Sequence, residues 1–213
     1  PVPPALTSTS YCVGASATAL DATTTGATAY LWSSGETTAS VTPSTAIAGT
    51  TTYTVTVTAT GGCTATTSAT IVVNPQPVPP ALTSTNYCVG ASAAVLDATT
   101  SGATSYLWTT GATTASITPS TASAGTTTYT VTVTATGGCS ATTSATIVVN
   151  PLPVPPALTS TSYCVGASAT ALDATTTGAT AYLWSSGETT ASVTPSTAIA
   201  GTTTYTVTVT ATG

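Results

Sequence analysis

Residues 51–63 read TTYTVTVTATGGC, and residues 127–139 repeat them letter for letter. Tyr53, Val55 and Val57 alternate with Thr52, Thr54, Thr56 and Thr58. Successive side chains of a strand point to opposite faces, so this stretch predicts a strand with Tyr and Val in a core and a row of hydroxyls outside. Thr suits that outer face because it is both β-branched and polar. An ice-binding plane would need several parallel Thr rows in flat register. Antiparallel, twisted strands do not supply that. A third reading is lateral packing of one Thr face on another.

Working outward, PVPPALTST begins at Pro1, Pro77 and Pro153, a period of 76 residues. Residues 153–213 are identical to residues 1–61, and the middle copy differs at scattered positions such as Val41 against Ile117 and Glu36 against Ala112. A fixed period of this kind is the mark of tandem modules. The sequence divides into repeats 1–76, 77–152 and 153–213, the last stopping before its second cysteine, and reads as part of a longer array.

Within a copy, short β-branched runs separated by turn residues predict six to seven antiparallel strands in a small sandwich. In the first copy they fall near residues 5–10, 17–22, 29–33, 39–42, 51–59 and 65–73. The expected core is Leu20, Trp32, Val41, Tyr53, Val55, Val57, Ile71 and Val73, with Leu6 closing one end. Trp108 and Trp184 take the place of Trp32 in the later copies. A tryptophan following Tyr and Leu on a strand is read as core rather than as a sugar-stacking platform. Asn74–Pro80 and residues 150–156 are proline-rich, which fixes φ and predicts stiff extended spacers between domains in a rod.

Composition narrows function by exclusion. The chain has no Lys, Arg or His, and its acidic residues are Asp21, Glu36, Asp97, Asp173 and Glu188. Nucleic-acid binding and attachment to anionic lipid heads both need cations. General acid–base catalysis needs a carboxylate or base set against a partner, and none is spaced to provide one. The sequence therefore predicts no enzyme, no cofactor and no metal. Calcium in particular takes six to eight oxygen ligands, more than Asp21 and Glu36 can supply. No apolar run approaches the roughly 20 residues of a membrane helix, so direct membrane insertion is not expected of this segment.

Cys12 and Cys63 recur as Cys88 and Cys139, while the partner of Cys164 is expected beyond Gly213. One pair per repeat, without His or a CxxC neighbour, points to disulfides Cys12–Cys63 and Cys88–Cys139 in an oxidising compartment. Two buried thiols are the competing reading. If the strands alternate strictly up and down, the start of the second and the end of the fifth share a pole. That is where the bond is expected. One more crossing of the sandwich would put them at opposite poles.

The ordered set Cys12, Tyr30-x-Trp32, Gly35 with Thr37-Thr38, Tyr53-Thr54-Val55-Thr56-Val57 and Gly62-Cys63 resembles the immunoglobulin-like or PKD-like repeats of large Bacteroidota cell-surface proteins. Gliding adhesins and other type IX secretion cargo are among those proteins. The resemblance implies an extracellular spacer, filament or adhesin without catalytic residues. Two roles are thus expected of the sequence: a self-associating structural stalk on a cell surface, or repeats that hold a surface glycan themselves. The first predicts other copies of the chain as partners. The second predicts a groove lined by exposed aromatic side chains.

Overall fold

In a computed structural model residues 1–212 can be described. The alternation in the quoted stretch becomes β5, and its neighbours follow in the order the sequence suggests. The first copy consists of β1 (Thr9–Cys12), β2 (Leu20–Asp21), β3 (Ala27–Trp32), β4 (Ser40–Val41), β5 (Gly49–Ala59) and β6 (Thr64–Asn74). β1, β6, β5 and β3 form one sheet in that order, and β2 pairs with β4 in a second. β1 runs parallel to β6, whereas β6–β5, β5–β3 and β2–β4 are antiparallel. This is the strand order of an immunoglobulin-like sandwich, with a parallel first strand added to the edge of the sheet that holds β3, β5 and β6.

Two further features belong to that fold. Trp32 lies on β3, 2% exposed, between the sheets, and its indole Nε1 donates to the Thr38 carbonyl at 2.8 Å. Tyr53, near the start of the long β5, accepts a bond on its hydroxyl from the Ser44 amide, 3.2 Å away at the preceding corner. That arrangement is the tyrosine corner of immunoglobulin domains. Every residue expected in the core is buried, Leu6 packs against it, and Ala22 and Ala69 complete it.

The second copy repeats the pattern as β7 (Thr85–Cys88), β8 (Leu96–Asp97), β9 (Ala103–Trp108), β10 (Ser116–Ile117), β11 (Gly125–Ala135) and β12 (Ser140–Asn150). Its sheets are β7-β12-β11-β9 and β10-β8. The third has β13 (Leu172–Asp173), β14 (Ala179–Trp184), β15 (Ser192–Val193) and β16 (Val207–Ala211). Trp108 and Trp184 are buried like Trp32. No α-helix occurs among the described residues. Contacts gather the chain into two compact units: Pro1–Leu82, Leu96–Ile117 and Tyr129–Ser144 in one, and Thr83–Val95, Thr118–Thr128 and Ala145–Gly213 in the other. The first copy lies within the first unit and the third within the second.

Strict up-and-down alternation does not hold. β3 and β5 are antiparallel neighbours, Trp32 facing Val55, yet β4 alone separates them in sequence. The chain must therefore cross the sandwich once more between β3 and β4. It does so through residues 33–39 without joining a ladder, held by Glu36 and Thr38 carbonyls that accept from the backbone and indole N–H of Trp32. That crossing reverses the poles on which the expected cysteine pairing depends.

Candidate functional site: the junction carrying Cys12 and Cys139

The cysteines of one copy end up at opposite poles. Cys12 faces Asn74, the last residue of β6. Cys63 directly precedes Thr64, where β6 begins. The ten steps from Thr64 to Asn74 span about 33 Å at a strand's rise of about 3.3 Å per residue. A disulfide needs Cα atoms within about 7 Å, so Cys12 cannot reach Cys63. The second copy is built alike: Cys88 faces Asn150 at the end of β12, and Cys139 precedes Ser140 at its start.

The structure bonds Cys12 to Cys139 instead, with the Cα atoms 5.6 Å apart and the two residues 127 positions apart in sequence. The expected pairs Cys12–Cys63 and Cys88–Cys139 are thereby corrected. Cys63, Cys88 and Cys164 are thiols here. The link joins the far pole of the first copy to the near pole of the second. Both cysteines belong to the first compact unit.

The surroundings of the bond are built from short-range geometry, because no charge is available. The Asn74 carbonyl accepts from the Val13 amide at 3.0 Å, and Cys139 Sγ lies 3.9 Å from the same oxygen. Gln76 Nε2 donates to the Val13 carbonyl at 3.3 Å, tying the start of the linker to the loop after Cys12. Gly137 has φ +81°, and a Cβ there would collide with the Asn74 side-chain amide. Glycine is thus required twice, by the left-handed backbone and by the close approach. Residues 136–138 form a 3-10 turn, and Cys139 is only 1% exposed.

Other candidate ligand sites are modest. A cleft of about 150 Å³ lies against Pro75, Pro77 and Ser101, and one of about 480 Å³ against Pro151, Pro153 and Thr177. They occupy equivalent places in the repeat and have no charged lining residue. Asp21, Asp97 and Asp173 each accept from the hydroxyl and amide of the Thr two residues on. The Thr hydroxyl first, then its amide, holds each carboxyl below the ordinary aspartate range. These carboxylates close turns.

The aromatic residues are likewise spoken for. All three Trp are buried and no Tyr is fully exposed. Tyr11 accepts from the Thr18 amide and Tyr30 from the Thr24 amide, and their counterparts Tyr87, Tyr106, Tyr163 and Tyr182 do the same. The side chains that could have lined a sugar groove hold loops in place.

No protein-family profile and no curated protein sequence matches the chain. Solved structures that it resembles include tandem immunoglobulin-domain proteins. The titin I-band fragment I67–I69 is 15% identical with a TM-score of 0.48, over 86% of this chain and 79% of that one. The N-terminal eight Ig domains of Down Syndrome Cell Adhesion Molecule isoform 1.30.30 give 14% and 0.44, over 86% of this chain and 33% of that one. Sidekick-1 immunoglobulin domains 1–4 give 15% and 0.42, over 70% of this chain, which spans about half (48%) of that fragment. The immunoglobulin-like assignment stands on the strand order and register above.

Proposed function

We propose that the chain is the structural repeat region of an extracellular filament or stalk, displayed on a bacterial surface of the Bacteroidota type that its repeat resembles. The observation that carries this reading is the disulfide between successive copies. A bond inside a domain stabilises that domain, whereas a bond between domains fixes how one follows the next. The disulfide supports an oxidising compartment outside the cytosol. The modules act as spacers without chemistry of their own.

Self-association belongs to the proposal. A net charge of −5 over 213 residues gives copies little to repel one another. Leu31, Leu107 and Leu183, each more than half exposed, recur on the outer face of the sheet beside the Thr row, as Leu31 does beside Thr56. Such faces suit lateral packing of like chains. Direct glycan binding by the repeats, the other reading, lacks the exposed aromatic groove it needs. Electron microscopy of the purified oxidised chain tests the proposal. Rods or bundles of rods are expected, and a field of unconnected globules would overturn it.

A further inference from the structure

We propose that the Cys12–Cys139 bond is one rung of a periodic link, in which the first cysteine of every copy bonds the second cysteine of the copy that follows. The inference concerns covalent connectivity alone, and stands whether or not the chains assemble into filaments.

Three observations carry it. The period makes Cys12, Cys88 and Cys164 equivalent, and likewise Cys63 and Cys139. The pole-to-pole separation within a copy bars the alternative pairing wherever the fold recurs. Third, identical sequence behaves differently according to what precedes it. Residues 59–63 and 135–139 both read ATGGC. At 135–139, docked on Asn74, the tip forms the 3-10 turn and buries its cysteine. At 59–63 Cys63 is exposed, and a Cβ on Gly61 or Gly62 would meet nothing within 4 Å. The tip is therefore shaped by the far pole of the copy before it. That pole is rebuilt in the second copy, where the Val89 amide donates to the Asn150 carbonyl at 2.9 Å as Val13 does to Asn74.

The link reroutes the covalent path. From Cys139 the chain runs 25 positions to Cys164, through β12, the proline linker and the start of the third copy. There the next rung would carry the path on to the copy beyond. Two repeats, 152 residues of chain, are then bridged by 25 residues and one disulfide. A second such track starts at Cys63, runs through β6 to Cys88, and leaves by its own rung. Where both pass through one copy they lie on neighbouring strands, since β7 of one track pairs in parallel with β12 of the other. An array so linked carries tension along two adjacent, already extended covalent tracks, and its sandwiches are shielded from load.

Each rung forms when two thiols lose two protons and two electrons to a disulfide oxidant, which leaves as two thiols. The test uses glutathione disulfide as that oxidant. The chain is extended past Gly213 by GCTATTSATIVVN, the sequence of residues 62–74, which completes the third copy. Free thiols are blocked, and the denatured product is cut before aspartate, at Asp21, Asp97 and Asp173. The proposal expects two separate crosslinked pairs: piece 1–20 with piece 97–172, and piece 21–96 with the piece beginning at Asp173. Pairing within copies would instead hold all four pieces in one covalent set, and that result overturns the proposal. So does a single crosslink with Cys88 alkylated. In a folded Cys12→Ser variant, checked by its far-ultraviolet dichroism, Cys139 should be alkylated; a new Cys88–Cys139 bond would also overturn it.

Discussion

Pulling on the ends of the 213-residue chain should expose the Cys12–Cys139 bond as hidden length. When the bond is intact, residues 13–138 lie inside a closed loop and bear no tension. Force then passes from residue 12 across the disulfide to residue 139, and only the chain beyond can be drawn out. The loop comprises 127 positions. At about 3.3–3.6 Å per extended residue it stores about 420–460 Å, of which the bond's own Cα–Cα span of 5.6 Å is already in use. Reduction under load should therefore make about 410–450 Å available in total, drawn out as the first two copies come under load and unfold. Before reduction, neither Trp32 nor Trp108 sits in a domain that the force can open; only the third copy, around Trp184, should unfold.

Single-molecule force spectroscopy with a thiol reductant in the buffer reads this directly. Pairing within copies would give a different record, because Cys12 to Cys63 and Cys88 to Cys139 are each 51 positions apart. The first two copies would then unfold before reduction, and reduction would add two steps of about 160–180 Å, each from its own loop. Unfolding of the first or second copy before reduction, or no lengthening on reduction, would refute the junction geometry.

Gly61 and Gly137 hold the same place in the repeat, with φ of +89° and +81°, yet their alanine variants should differ. Gly61→Ala should cost about 1–2 kcal/mol for the left-handed backbone alone, whereas Gly137→Ala must also displace Asn74, and should lower the yield of the Cys12–Cys139 bond in a thiol count. Trp32→Phe removes the indole N–H and leaves the Thr38 carbonyl without it, a loss of about 1–3 kcal/mol in chemical denaturation, while Trp32→Ala should cost about 3–5 kcal/mol through the cavity. Asp21, Asp97 and Asp173 have depressed folded pKa values, so their contribution is complete above the unfolded value of about 3.9 and is lost as pH falls through the folded value. Thermal unfolding should thus be flat from about pH 5 to 8 and weaken below about pH 4, and replacing all three by Asn, whose amide oxygen can still accept, should flatten the acid limb.

The strands and the core were legible because one rule covers both. Where Tyr53, Val55 and Val57 alternate with Thr, position along the chain decides which face each occupies. The same period assigns Ile71 and Val73 of β6 to the core. Ala22 and Ala69 escaped notice because Ala is common on every face of this sequence, so a buried one carries no contrast. The disulfide escaped for a topological reason. Residues 33–39 carry the chain across the sandwich with no ladder of their own, and a crossing with no strand leaves no period-two signal to count. The third copy shows a further limit of local reading. Residues 201–211 repeat residues 49–59, but β16 keeps only Val207–Ala211 as strand, and Val207 and Val209 are half-buried where Val55 and Val57 are fully enclosed. In the first copy Gly49–Tyr53 pair with β6, and that half of β5 is owed to its partner strand rather than to propensity alone.

A chain without cations has no salt bridges to orient one domain on another, and exposed ion pairs would add little in any case. Orientation must come from shape and covalent bonds. TTYTVTVTATGGC supplies both in thirteen letters. Its Tyr and Val side fills the core. Its Thr side faces outward, with the Thr52 and Thr70 hydroxyls 3.3 Å apart across the ladder. Its Gly-Gly-Cys end is the part that reaches beyond its own domain. The two glycines take backbone angles that other residues resist, the first of the second copy's pair makes room for Asn74, and the cysteine fixes the fit. The specificity of the junction lies in those three residues and in the asparagine they meet. The hydroxyl row, the most conspicuous pattern in the sequence, is free to serve solubility or lateral packing without affecting how one copy follows the next.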